Sequence, residues 1–347
     1  ERLRELMHRS NGRAARDAVL WVILLVGSGV LAWRSLGTWW SIPAFIVYGA
    51  LYGGSSDSRW HEFGHGTAFR SEFLNNLLYY PACFMLAREP MLWRWSHFRH
   101  HTDTIIRGRD AEIVFRRPAS FGRTALQFTH IQGGTFMMWT TVRHAFGLID
   151  DSTRELVPAD SLRRLVWEAR VFSAIWGAAI VWSVATLSIV PVLFIGGPTI
   201  YGAWLVVFFG ITQHAGLQED VLDHRLNTRT VYMNPVFRWL YSNMNYHIEH
   251  HIFPGVPYRN LPALHDEIKD SLPPPLPNTM AAYRELVGAL RELEKDTSWE
   301  LEGRGVPDVP SSSADPIDAV SYTHLTLPTT LPRCRWRWWP GEEGGGG

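Results

Sequence analysis

Eight histidines fall into three short clusters: HEFGH at 61–65, HFRHH at 97–101 and HIEHH at 247–251. His61 and His65 are four residues apart, so on a helix both rings leave from one face. His97, His100 and His101 stand at three- and four-residue spacing, and His247, His250 and His251 repeat it. Each cluster can therefore offer two or three imidazole nitrogens to one point. A ninth histidine, His214, closes an apolar stretch and sits level with the first cluster. Bare imidazoles packed together would repel on protonation and add nothing to stability, so the clustering points to metal ligation.

Counting donors narrows the chemistry. HEFGH matches H-E-x-x-H, which alone suggests a zinc peptidase with Glu62 as general base. Such a site needs one further ligand and keeps a water position open, leaving HFRHH and HIEHH without a role. Eight or nine nitrogens exceed one tetrahedral zinc and suit two metals of higher coordination. Imidazole takes iron, zinc, copper and nickel alike, so ligand type does not name the metal. Asp57, Glu62, Asp103, Asp110 and Glu249 lie near the clusters and could orient imidazole N–H groups. The plainer reading of each is a surface or capping acid, and two or three are expected to reach a ligand. His130, His144, His224 and His265 stand outside the clusters and read as structural.

Elements that could position these clusters are visible as apolar runs. Ala18 to Leu36 and Trp39 to Gly54 read as a membrane hairpin, with a turn at Gly37. A second pair, Val171 to Val190 and Val192 to Phe209, is broken near Pro191 and Gly196-Gly197-Pro198. Phe73 to Leu86 and Gly133 to Leu148 are weaker, interrupted stretches that read as interfacial or partly buried helices. Arg2, Arg4, Arg9, Arg13 and Arg16 precede the first span, and basic residues are abundant after Arg59 and after Arg225. The positive-inside rule then puts both termini and all the polar segments in the cytoplasm. The alternative for each run is the buried core helix of a soluble protein.

Composition agrees with a chain that is part membrane and part charged cap. Seventeen Trp and 46% hydrophobic residues accompany a mean hydropathy of only −0.08. With 33 basic and 33 acidic residues the formal charge is zero, so no global field points to nucleic acid. Cys83 and Cys334 form no pairing pattern, which argues against a disulfide framework and fits a reducing cytoplasmic face better. From Val320 the chain reads VSYTHLTLPTT and then a Trp/Arg/Gly-rich run, similar to a translated sequencing-library adapter. The expected organisation is an N-terminal cytoplasmic segment (1–17), a catalytic membrane domain (18–270), a helix with a disordered end (271–319) and a non-native tail (320–347). Within the third of these, SLPPPLP at 271–277 breaks the chain before a mixed-charge helix over 280–294.

The order HxxxH, HxxHH, HxxHH, with apolar hairpins before the first box and between the second and third, resembles the integral-membrane fatty acid desaturase and hydroxylase superfamily. The resemblance covers roughly Ala18 to His265. The stretches WRWSHFRHHTDT and NYHIEHHIFPGVP look like bacterial members, which implies a bacterial inner membrane. The family fold implied is all-α, four spans in two hairpins under a cytoplasmic helical cap. It further implies two irons held by the eight boxed histidines and His214, with O2 as co-substrate. The implied reaction is desaturation of an acyl chain, and its neighbour is hydroxylation of a lipid or small apolar substrate. Trp60, Trp93 and Trp95 could line an acyl tunnel or belong to an interfacial aromatic belt. Arg94, Arg99, Arg107 and Arg109 could meet a headgroup or lie at the lipid surface. The chain has no HPGG haem motif, ferredoxin cysteine set or GxGxxG, so electrons are expected from a separate ferredoxin or flavin reductase.

Overall fold

Length and apolarity settle which elements can be long. In the computed structural model, which describes residues 1–113, 117–301 and 304–307, two helices stand out. They are α1 (Asn11–Arg34) and α7 (Leu162–Ala185), each of 24 residues. At ~1.5 Å per residue either can cross a hydrocarbon layer of about 30 Å. By length and composition, the stretches 2–34 and 159–185 meet the requirement for crossing a membrane. Both turn large apolar side chains outward: Ile23, Val26 and Leu31 on α1, Val181, Trp182 and Val184 on α7.

The remaining apolar runs fold differently from the expected spans. The second becomes α2 (Ser41–Gly49), which passes through a π-helical turn at Ala50–Gly54 straight into α3 (Ser55–His65). The first histidine box thus continues an apolar rod instead of following it after a loop. The fourth run, expected over 192–209, is three pieces: Val190–Phe194, Gly197–Tyr201 and α8 (Trp204–His214). Gly196 takes φ +84° and Pro198 opens the next turn, so no single helix can pass. The two interrupted stretches are helical, as α4 (Glu72–Met85) and α6 (Ile131–Ala145), with α5 (Pro90–Thr102) between them. Past α8 come α9 (His247–Ile252), α10 (Leu261–Ile268) and α11 (Thr279–Lys295). The fold is all-helical: among the described residues two isolated bridges, Thr230 with Tyr246 and Val231 with Leu276, replace any strand.

Three apolar clusters lock the box-bearing helices in place. Trp60 and Phe63 of α3 pack with Tyr79, Ala82 and Cys83 of α4 and with Phe172 and Trp176 of α7. Leu205 and Phe209 of α8 pack with Tyr241, Met244, Val256 and Leu264 around the third box. Ile211 and Ala215 meet Leu286, Leu290 and Leu293 of α11, so that helix sits in the same unit as the boxes. Asn278 caps α11 by accepting from the Ala281 N–H. Cys83 is buried and unpaired; Cys334, the end of the 271–319 segment from position 308 on and the suspected tail from Val320 lie outside the described residues.

Backbone touches backbone where α2 enters the box helix. A Cβ on Gly53 would stand 2.4 Å from the Pro198 carbonyl oxygen, and one on Gly202 would stand 2.0 Å from that of Gly49. Gly49 and Gly53 are four apart, the small-residue spacing that lets helices approach closely. Gly53→Ala is expected to cost at least the ~1–3 kcal/mol of an overpacked core. A thermal melt in detergent measures it; an unchanged midpoint would show that the contact is slack.

A buried histidine ties α6 to the start of α5. His144 has no solvent exposure; its Nδ1 lies 2.6 Å from Glu89, the residue capping α5, and its Nε2 3.2 Å from Asp150. Burial alone would lower the His144 pKa, but the two carboxylates outweigh it and raise the value above that of a free imidazole. A folded pKa above the unfolded ~6.5 means the interaction is complete below that pH and lost as pH rises through the folded value. The unfolding midpoint is therefore expected to fall with rising pH above ~6.5, and His144→Gln to flatten that slope. Parallel slopes in the two proteins would remove His144 from the account.

Candidate metal centre

Helix ends deliver all three boxes to one place. Box one closes α3, which Gly66 terminates in the left-handed region (φ +68°) immediately after His65. Box two forms the last turns of α5, opened by Pro90 at its first position, and box three is α9 itself. His214 is the last residue of α8.

The nine imidazoles form two groups. His61, His65, His97, His101 and His250 make one, and His100, His214, His247 and His251 the other; the candidate ligand atoms within each lie no more than 4.8 Å apart. Boxes two and three therefore split. In each, the residues four apart (97 and 101; 247 and 251) go to one group, while the third histidine crosses to the other. Helical geometry accounts for this: positions i and i+4 point about 40° apart, whereas i+3 is turned roughly 100° from i+4. Each box thus offers two of its imidazoles to one point, within the two or three its spacing allows.

Inside each group the Nε2 atoms face one another. In the first group the separations are 2.6 Å for His61 and His250, 3.1 Å for His65 and His97, 3.1 Å for His65 and His101, and 3.1 Å for His101 and His250. The second gives 3.0 Å for His214 and His247 and 3.1 Å for His247 and His251. Outer contacts show what those atoms carry. His214 Nδ1–H donates to the Asn227 carbonyl at 2.9 Å, so its Nε2 is a lone pair. Thr104 gives its hydroxyl proton to the His100 carbonyl, so His251 Nδ1–H must be the donor to Thr104 at 3.1 Å. His97 Nδ1–H donates likewise to Glu112 at 3.1 Å. Lone pairs aimed at a common point repel unless a cation lies among them, and the donor sets fit two such ions.

Electrostatics favour the ligand form. Burial first, then the neighbouring imidazoles, hold His61, His65, His101, His247, His250 and His251 well below the usual histidine pKa, so they are neutral at pH 7. His100 is the exception: burial opposes its charging, but Asp110 at 2.9 Å outweighs burial and raises its pKa. Asp110 and Glu112 are held low by the same partnerships, His100 and His97 overcoming the burial that would lift both carboxyls.

Of the five carboxylates singled out from sequence, the structure brings Asp110 to a boxed imidazole. Asp57 instead pairs with Arg88, and Asp103 with Arg109. Glu62 accepts from Thr67 and from the Tyr258 N–H, and burial lifts its pKa to about 8. Glu249 accepts from Thr230 and meets His265, whose other nitrogen faces the Tyr232 hydroxyl. Glu112 was missed. It sits in an irregular segment outside any helical register with His97, and its signal was the DAE triplet just beyond the box, where its N–H binds Asp110 at 2.8 Å.

The tryptophans divide as well. Trp60 is buried, its ring 5.3 Å from that of His97 and 5.9 Å from that of Trp93, and the Arg88 guanidinium lies over both indoles. Trp95 instead meets Phe98, 6.3 Å away. Arg99 pairs with Glu155 and Arg107 with Asp220, while Arg94 donates to Asn76. Outside the boxes, His130 binds the Thr199 carbonyl, and the His224 ring stands 5.0 Å from that of His251.

A sequence model of the fatty acid desaturase family matches residues 37–281, a range holding all nine histidines and well over half of the chain. The chain belongs to the fatty acid desaturase family. It is also similar to the Delta(5) fatty acid desaturase fat-4 of Caenorhabditis elegans, 22% identical over 264 residues. That alignment covers 66% of this chain and 57% of the worm protein, so the chain spans a little over half the length of that relative. As in a desaturase, the histidine clusters are of a kind that could bind metal.

Proposed function

We propose that this protein is an O2-dependent di-iron desaturase that inserts a double bond into a fatty acyl chain. The convergence of nine histidine side chains into two sets supports the reading most directly. His61, His65, His97, His101 and His250 would hold one iron, and His100, His214, His247 and His251 the other. Two irons bound there would supply reduction of O2 and removal of hydrogen from an unactivated C–H bond. The chain's own residues hold and orient the donors: Asp110, Glu112, Thr104 and the Asn227 carbonyl each fix a ligand ring by taking its Nδ1–H. Trp60 and Trp93 cover the box-one side and help keep water from it. In this reading the polar segments form a cytoplasmic cap on a multi-pass bacterial inner-membrane protein, with α2 and α8 completing two hairpins. An acyl substrate enters from the lipid, and electrons come from a separate ferredoxin or flavin reductase.

Zinc peptidase chemistry is disfavoured because Glu62, its general base, is engaged by Thr67 and the Tyr258 N–H. Expression of residues 1–319 followed by lipid mass spectrometry tests the reaction. The expected product is lighter by two hydrogens. A gain of one oxygen would assign hydroxylation instead, and no change in any lipid class would count against an acyl substrate.

A further inference from the structure

A cavity lies beside the N-terminal end of α1, on the side of α3 away from the histidines. It has a volume of about 410 Å³, within the range of small-molecule sites, and its lining includes Arg16, Arg59, Arg238 and Arg259. Arg59, Glu62 and Phe63 reach it from the α3 face that His61 and His65 do not occupy, as spacings of three and four residues require. The cavity and the metal sets thus use opposite sides of one helix.

Its charge is unbalanced. Four guanidinium groups face two carboxylates, Asp17 and Glu62, leaving a formal excess of two positive charges even with both acids ionised. Protein donors already engage the acids: Asp17 takes the Tyr258 hydroxyl at 2.7 Å and Arg16 at 3.3 Å, and Glu62 takes Thr67 and the Tyr258 N–H. Arg59 is buried between the Trp21 and Trp239 rings, and its hydrogen bonds run to the Leu240 and Trp239 carbonyls and to Ser58. Among the described residues no carboxylate pairs with it, an arrangement that is costly for a buried cation. Arg238 donates to Asn243, and Arg259 to the Ala68 and His8 carbonyls. Ala18, Phe63 and Trp239 add apolar lining next to the cationic groups.

We propose that this cavity binds a phosphate-bearing anion, the headgroup of an anionic phospholipid. Guanidinium groups match phosphate geometry, and the apolar lining suits the glycerol end of the lipid. The place suits it too, since the apolar run of α1 begins at Ala18, on the cavity wall. The site goes beyond the desaturase reading and does not depend on it.

The test is a titration of the purified full chain in detergent with dihexanoyl phosphatidylglycerol, dihexanoyl phosphatidylcholine and inorganic phosphate, followed by native mass spectrometry and thermal shift. Phosphatidylglycerol is expected to bind saturably at one site per chain. The Arg16→Gln/Arg238→Gln double variant, whose side chains are not buried, should bind at least tenfold more weakly. Arg163→Gln, which lines no part of the cavity, should match the parent. Competition by inorganic phosphate at similar concentration would support the anion site and assign it to soluble phosphate. No saturable binding of either anion, or equal binding by the double variant with its unliganded melting point unchanged, would overturn the proposal.

Discussion

His100→Ala and His101→Ala, neighbours in one box, are expected each to lose a different metal ion, and both to abolish turnover. The division of box two sends His100 to the set with His214, His247 and His251, and His101 to the set with His61, His65, His97 and His250. Removing His100 leaves three donors in its set, and removing His101 leaves four in the other. The metal content of each variant should fall from two per chain toward one. Loss of activity should exceed the ~10–100-fold typical of an outer partner, because a ligand itself is gone. Loss of both ions from both variants would mean that the box serves one shared point. Full metal content with near-parent turnover in either variant would remove that histidine from the centre.

The second large effect is expected at the carboxylates behind the ligands. Asp110→Asn keeps the shape of the side chain but removes the charge that takes His100 Nδ1–H at 2.9 Å, and Glu112→Gln does the same for His97. Each change should weaken metal affinity or activity by ~10–100-fold, through the orientation and basicity of a single ring. The weakened ion should be that of the smaller set for Asp110→Asn and of the larger set for Glu112→Gln. Asp103→Asn serves as the comparison, since Asp103 is paired with Arg109 and reaches no boxed imidazole. Equal affinities in Asp110→Asn and Asp103→Asn would show that the outer partner does not tune the ligand.

How far the sequence carried differs from one residue to the next. The eight boxed histidines were legible because they recur at helical spacing, a pattern written locally, and His214 because it closes an apolar run. Their division between two centres was not, since it depends on how α3, α5, α8 and α9 cross, which no single box encodes. Asp110, nine residues past box two, reaches its histidine, whereas Glu249, inside box three, turns instead to Thr230 and His265. Proximity along the chain fixes neither side-chain direction nor partner. Among the helices, α1 and α7 were readable from unbroken apolar runs. The stretch over 192–209 was apolar enough for a span, but Gly196, Pro198 and the Gly202 contact with Gly49 divide it, and that contact exists only in the folded chain.

The most direct test of the account is metal analysis of the purified full chain, by plasma mass spectrometry against protein determined from amino-acid analysis. Two metal ions per chain, both iron, are predicted, falling together on chelation with loss of activity. One zinc per chain without iron would contradict the di-iron centre and return HEFGH to the peptidase reading that it mimics in isolation.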